Sequence, residues 1–260
     1  ALRFVSNFFD AFLKAELDAE LTDEFSLLCA CAYYLGGNVG SSVVIVRQMA
    51  VPDAGLAGGL GLLVHRILRG DHSPIAAPHM MGNTIGQVLQ SLARFFGLEA
   101  DAAEVVERCV GLRAAGYAIG DARLLLYSDL AVALCHRKIE NASRTLLPPA
   151  SNLGLDAWRP ALSRETFPVE LWPAQQRIAA AGLLRGRSAV IQMPTSAGKT
   201  RATELIVRSA FLSGRASLAV IVAPYRSLCH DIRGDLAAAF ADDPIAIDEA
   251  SDAFQFDLEL

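Results

Sequence analysis

Three consecutive residues, Gly198, Lys199 and Thr200, carry the most specific chemistry in this sequence. They lie in residues 191–204, written IQMPTSAGKTRATE, and match the end of the pattern G-x-x-x-x-G-K-[ST]. A strand that ends in a tight turn and opens a helix converges several backbone N–H groups on one point. The helix dipole adds positive potential there, so the point binds phosphate. The donors expected here come from Thr195, Ser196, Ala197, Gly198, Lys199 and Thr200. Lys199 would reach the β- and γ-phosphates of a nucleotide such as ATP, and the Thr200 hydroxyl would ligand Mg2+, which makes these two the candidate catalytic residues. Met193 stands where the pattern has its first glycine. The loop needs its second glycine more, for close backbone approach, and Pro194 presets a backbone angle that can fix the turn instead.

The elements that position this loop can be read on both sides of it. Residues 188–193 (SAVIQM) predict a short buried strand, and residues 199–214 a helix that begins at the Lys-Thr pair and stops at Gly214. Residues 217–224 (SLAVIVAP) predict a second apolar strand, and the following run SLCHDIRGDLAAAF a second helix. Strand and helix alternating with β-branched strands predict a parallel sheet covered on both faces. Residues 1–147 differ: they predict a bundle of several helices, broken at VPDAGLAGGLG and SPIAAPHMMG. The run from Asp121 reads as one long helix. Residues 148–164, rich in turn formers, read as a linker, and 165–260 as the α/β part. The fold class expected is therefore an α-helical N-terminal domain followed by the first part of an α/β P-loop domain.

Composition narrows the function classes. The chain of 260 residues is 53% hydrophobic and 20% charged, enough to bury a core. Its five cysteines include no pair at zinc-site spacing, so they read as incidental thiols of a reducing, cytoplasmic protein. His65, His72 and His79 are spaced by seven, but Pro74 and Pro78 prevent a shared helix face. Residues 25–46 carry no charge, yet Gly36, Gly37, Asn38, Gly40 and two serines interrupt them. Two helices joined by a turn, with no membrane partner, is the reading. The net charge of −5 hides a local contrast. Residues 185–237 hold eight Arg or Lys against three acids, while residues 238–260 hold seven acids and no base. The basic stretch surrounds the phosphate loop and suits polyanions. For Arg208 and Arg215 a solvated helix face remains the other reading.

Two further runs give the loop a family. The string MPTSAGKT resembles motif I of superfamily 2 helicases (DEAD/DEAH type), in which the first glycine is often replaced and Pro-Thr follows. LWPAQQ, residues 171–176, resembles the Q motif, whose glutamine reads the adenine edge; Gln175 fits best and Gln176 is the alternate. VIVAPYRSLCHDI resembles motif Ia, in which the turn after the strand touches the nucleic-acid backbone; Pro224, Tyr225, Arg226 and Ser227 occupy that turn. The resemblance covers residues 165–260 and implies part of a first RecA-like domain. It implies ATP and Mg2+ as cofactors and a DNA or RNA single strand as partner. Together with an all-helical N-terminal domain, the same string also resembles the helicase subunit of bacterial Hachiman anti-phage systems, which implies a nuclease effector as a further partner for the helical domain. A phosphate-loop kinase or GTPase leaves LWPAQQ and VAPYRSL unexplained.

One similarity misleads. IAIDEASD, residues 245–252, looks like the Asp-Glu motif that holds Mg2+ and orients water. Lys199 to Asp248 spans only 49 positions, with one strand and one helix between. The family places a further strand and helix there, so Asp248 and Glu249 are expected to follow a third short strand, IAI, in an acidic stretch. The chain is then expected to supply the phosphate cradle and the adenine reader only. Phosphoryl transfer also needs a second metal contact, a positioned water and charge stabilisation, so binding without hydrolysis is the expectation.

Overall fold

A computed structural model describes residues 2–15, 21–74, 81–193 and 198–250 of the chain. It divides into two compact units, Ala1–Ala142 and Ser143–Leu260. Unit 1 is built from seven helices: α1 (Leu2–Lys14), α2 (Thr22–Leu35), α3 (Val39–Gln48), α4 (Leu60–Arg69), α5 (Gly82–Phe96), α6 (Ala102–Ile119) and α7 (Ala122–Asn141). The uncharged run 25–46 is two helices, α2 and α3, joined by a turn at Gly36 and Gly37, the latter at φ 85°. No helix among the described residues is long and apolar enough to cross a membrane.

The core of unit 1 is large and almost wholly apolar, with Leu63, Ile67, Leu89, Leu92, Tyr127 and Leu134 shut off from solvent. Helices α6 and α7 pack closely because Gly116 has no side chain: a Cβ there would lie 2.2 Å from the Ser128 hydroxyl. The Asp121 carboxylate caps α7 by accepting from the Leu124 N–H at 3.0 Å. The long helix expected from Asp121 is thus real as far as Asn141, where Ala142 turns to an extended conformation at ψ 135° and ends it. Glu24 joins α2 to α7, pairing with Arg123 at 3.0 Å and accepting from the Tyr127 hydroxyl at 3.3 Å.

Unit 2 contains α8 (Ser143–Ser151), α9 (Leu155–Leu162), α10 (Pro173–Ala180), a 3-10 turn at Leu183–Arg185, α11 (Lys199–Leu212) and α12 (Arg226–Ala239). Helices α8 and α9 occupy most of the stretch that reads as a linker. Pro148 and Pro149 sit inside α8, and the carbonyl freed at Leu147 accepts from the Ser151 hydroxyl at 2.7 Å. That hydroxyl also accepts from the Trp158 indole at 2.9 Å, which fixes the largest buried side chain of this unit. Trp158, Phe167, Leu171, Leu184 and Leu205 form its main apolar cluster.

The expected parallel sheet is not there. Among the described residues no strand forms over 188–193, 217–224 or 245–247, and the α/β fold class is corrected to a helical one. The cause is visible in exposure: Val190 is 99% exposed, Val220 77% and Val222 89%. A strand apolar on both faces needs a backbone partner beside it and cover above and below it. These runs have neither among the described residues, and strand propensity without that context does not hold a pleated backbone.

Candidate nucleotide and strand site

Helix α11 begins at Lys199, directly after Gly198 at φ 79° and ψ 47°. That left-handed conformation costs glycine nothing and frees the chain to turn sharply into the helix. Only the first intrahelical bond, Ala202 N–H to Gly198 carbonyl at 3.0 Å, uses up the amides at this end. The N–H groups of Lys199, Thr200 and Arg201 precede it and have no helical acceptor. No acidic side chain stands in the first turn to oppose an anion. Lys199 is exposed and Thr200 half-buried. These residues fit a triphosphate with its Mg2+: an amide-lined helix end, a reachable ammonium and a hydroxyl. Thr195, Ser196 and Ala197, the rest of the expected cradle, lie outside the described residues, as does Pro194.

Gln175 comes to the same place from 23 positions upstream. It is the third residue of α10, a helix opened by Pro173, and its Oε1 accepts from the Trp172 N–H at 2.9 Å. That reciprocal cap holds the side chain buried and aims its amide nitrogen at the loop. A Cβ on Gly198 would lie 3.1 Å from Gln175 Nε2. Gly198 is therefore glycine for two reasons, its positive φ and the seat it leaves for the Gln175 amide. Gln176, the alternate, turns the other way and donates to the Leu171 carbonyl at 2.6 Å.

The turn 224–227 is on the surface. Tyr225 is extended (φ −132°, ψ 141°) and 70% exposed, and Arg226 begins α12. Pro224, Arg226 and Ser227 are exposed as well. Further on, Asp248 is exposed and Glu249 half-buried, its Oε2 3.6 Å from His230 Nδ1 on α12. Among the described residues no group of three or more His, Cys, Asp or Glu side chains is arranged to hold a metal ion.

Sequence reasoning missed the most strongly charged part of unit 2. Arg201, Glu204 and Arg208 follow one another at i, i+3 and i+7 along one side of α11. Glu204 is buried and pairs with Arg201 at one oxygen and with Arg208 at 3.4 Å at the other. Arg208 is only 3% exposed and reaches the Asp243 carboxylate at 2.7 Å and the Ala239 carbonyl at 2.7 Å. Its guanidinium also lies 4.3 Å over the Phe240 ring. Arg164 grips the same two acceptors, Asp243 at 2.7 Å and the Ala239 carbonyl at 3.2 Å. Burial pushes the Asp243 carboxyl upward, but its bonds to Arg164 and Arg208 outweigh that and hold it below the usual carboxylate range. Arg208 is thus no solvated face, and Arg215 donates to the Leu184 carbonyl at 2.7 Å. The spacing Arg-x-x-Glu-x-x-x-Arg was the available signal.

With the geometry in place, the likeness to known proteins is informative. Residues 172–253 match the family model described as DEAD/DEAH box helicase. That stretch of the chain is a helicase-type segment, consistent with part of a superfamily 2 helicase. A 71-residue stretch, 27% of the chain, is 32% identical to the Hachiman protein HamB of Bacillus cereus. It spans 6% of HamB's own length. No solved structure matches the chain.

Proposed function

We propose that unit 2 is the nucleotide- and strand-binding part of an ATP-dependent nucleic-acid helicase or translocase. The observation that carries this reading is the seating of the Gln175 amide against Gly198, 3.1 Å from where a Cβ would stand, at the start of α11. Two residues that resemble separate motifs thus meet at one helix N-terminus. In this reading Lys199 and the first amides of α11 hold the β- and γ-phosphates, with Thr195, Ser196 and Ala197 completing the cradle. Thr200 holds the Mg2+, which supplies charge neutralisation between the phosphates when bound. Gln175 Nε2 donates to the adenine edge, while its Oε1 keeps α10 capped. Pro224, Tyr225, Arg226 and Ser227 hold the phosphate backbone of a DNA or RNA single strand, a contact that is sequence-independent and salt-sensitive.

The test is a calorimetric titration of the chain with Mg·ATP, set beside anisotropy of a fluorescein-labelled 20-mer of oligothymidine. Lys199→Ala should cost at least tenfold in Mg·ATP affinity and leave oligothymidine binding unchanged. Arg226→Ala should weaken oligothymidine binding and reduce its salt slope by about 1, sparing Mg·ATP. Full Mg·ATP affinity in Lys199→Ala would remove the phosphate-loop reading.

A second reading concerns unit 1. Phe4 is 76% exposed and Phe8 59% exposed on α1, so that helix leaves part of its aromatic face uncovered among the described residues. This favours a protein-docking role for the helical unit, and in a defence complex the partner would be a nuclease effector.

A further inference from the structure

We infer that Glu204, Arg208 and Asp243 are positioning residues that set the direction of α12, and with it the placement of the turn at Tyr225 and Arg226 relative to the helix beginning at Lys199. This rests on the strand-contact reading of that turn.

Helix α12 is held at one end only. Its sole buried side chain is Leu236, followed by Phe240 just past its C-terminus, while residues 226–228 are exposed. Apolar contact at a single point resists separation but not pivoting, because it is non-directional. The charged cluster supplies the missing direction. The Ala239 carbonyl is among the last four of α12, which have no helical donor, and it accepts from both Arg208 and Arg164. Two cations at the negative end of the helix dipole also favour this end of the helix over others. Asp243, four residues on, is clamped by the same pair through one carboxylate oxygen, Oδ2, at 2.7 Å from each. Charge-assisted bonds of this length are short and geometrically strict.

The clamp connects back to the phosphate loop through α11 itself. Arg208 is held by Glu204, and Glu204 by Arg201, two residues after Lys199. Arg201 in turn donates to the Thr166 carbonyl at 3.2 Å, beside the Phe167 ring that packs in the core of this unit. One run of contacts thus leads from the first turn of α11 to the last carbonyls of α12. The lever is long: fourteen residues of helix make about 20 Å, so a pivot of about 10° at Ala239 moves the Arg226 end by about 3–4 Å. That exceeds the range over which a hydrogen bond to a phosphate oxygen survives.

The test uses the full chain and three readouts: oligothymidine anisotropy, Mg·ATP calorimetry and amide hydrogen exchange over α11 and α12. Asp243→Asn keeps the shape of the side chain and removes its charge. The expected result is at least fivefold weaker oligothymidine binding, Mg·ATP affinity within twofold of the parent, and roughly tenfold faster exchange confined to α12. Arg208→Lys, which keeps charge but not the two-sided fork, should behave likewise, whereas Asp243→Glu should recover most of the strand affinity. Unchanged exchange in α12 together with unchanged oligothymidine binding in Asp243→Asn overturns the inference. If Arg226→Ala still weakens the strand in that case, the proposed function stands without it. If neither Arg226→Ala nor Asp243→Asn alters strand binding, the strand-contact reading fails and the inference goes with it. Faster exchange throughout unit 2 with loss of Mg·ATP binding makes the cluster a general scaffold and also overturns it.

Discussion

The two units bury comparable chemistry in opposite proportions. Unit 1 closes around a broad apolar core in which the main ionic contact, Glu24 with Arg123 and Tyr127, sits at the margin. Unit 2 has a smaller apolar cluster around Trp158 and relies on buried charge, with Arg208 and Glu204 both nearly inaccessible. It also leaves Val190, Val220 and Val222 in water. The contrast teaches what each unit is specialised to resist. Apolar burial is non-directional and tolerates small shifts, so it suits a bundle that must stay closed. A network of guanidiniums and carboxylates is directional and depends on every member, so it suits a unit whose helix ends must point somewhere definite.

The largest expected effect breaks this comparison on the charged side. Arg208→Met keeps much of the side-chain volume but leaves Asp243 with Arg164 alone and Glu204 with Arg201 alone. Removing one partner of a buried ionic network costs about 3–5 kcal/mol. Both tryptophans of the chain, Trp158 and Trp172, lie in unit 2, so their fluorescence reports its unfolding selectively. Urea titration should show the tryptophan transition move to lower urea while most of the helical circular dichroism stays in place. Equal shifts of both signals would mean that the two units do not differ in what holds them.

What was legible in the sequence follows the same division. Helix boundaries were readable where a local residue decides them, as Asp121 does at the start of α7 and Gly214 just past the end of α11. The phosphate-loop pattern was readable because Gly198, Lys199 and Thr200 are adjacent and the chemistry needs nothing distant. The strands were misread because apolar β-branched runs record a propensity, whereas a strand also requires a partner that SAVIQM and SLAVIVAP lack among the described residues. The charged cluster escaped notice for the converse reason. Arg164 and Asp243 are 79 positions apart, and the acidic run that contains Asp242 and Asp243 looked like a solvated stretch.

Acid should sharpen the comparison from the other side, with an intermediate effect. His72 stacks on Phe96 with ring centroids 5.0 Å apart, and its Nε2 has no hydrogen-bond partner. Burial, with the nearby Lys138 charge, pushes the imidazole down to about 4 from its ordinary 6.5. The unfolded chain therefore takes up the proton first. The stabilising contribution is full above about 6.5 and is lost as the pH falls toward 4, with about 2 kcal/mol gone by pH 5. Asp243 behaves differently, since its folded pKa is lowered from 3.8 and its contribution fades only as the pH falls below that. Unit 1 should thus weaken between pH 6.5 and 4 while unit 2 holds. Circular dichroism melts at pH 7 and pH 5 should show the loss, and His72→Phe should abolish most of it. A tryptophan transition that shifts first would reverse the assignment.

The smallest effect tests the corrected fold directly, by comparing one substitution in the two units. Val→Thr exchanges a methyl for a hydroxyl at nearly constant shape and keeps strand propensity. At Val64, fully buried in unit 1, the hydroxyl has no room to hydrate, and the change should cost about 1–3 kcal/mol. At Val222, in the second run expected to be a buried strand, the side chain is 89% exposed. There the same change should stay within about 0.5 kcal/mol, as for other surface sites. It should also lower the tendency of the chain to associate, because an exposed run of valine and leucine is a template for aggregation. Urea titration measures the first quantity and light scattering at rising concentration the second. A cost at Val222 equal to that at Val64 would mean that this run is covered in solution, and the helical description of unit 2 would then be the part to give up.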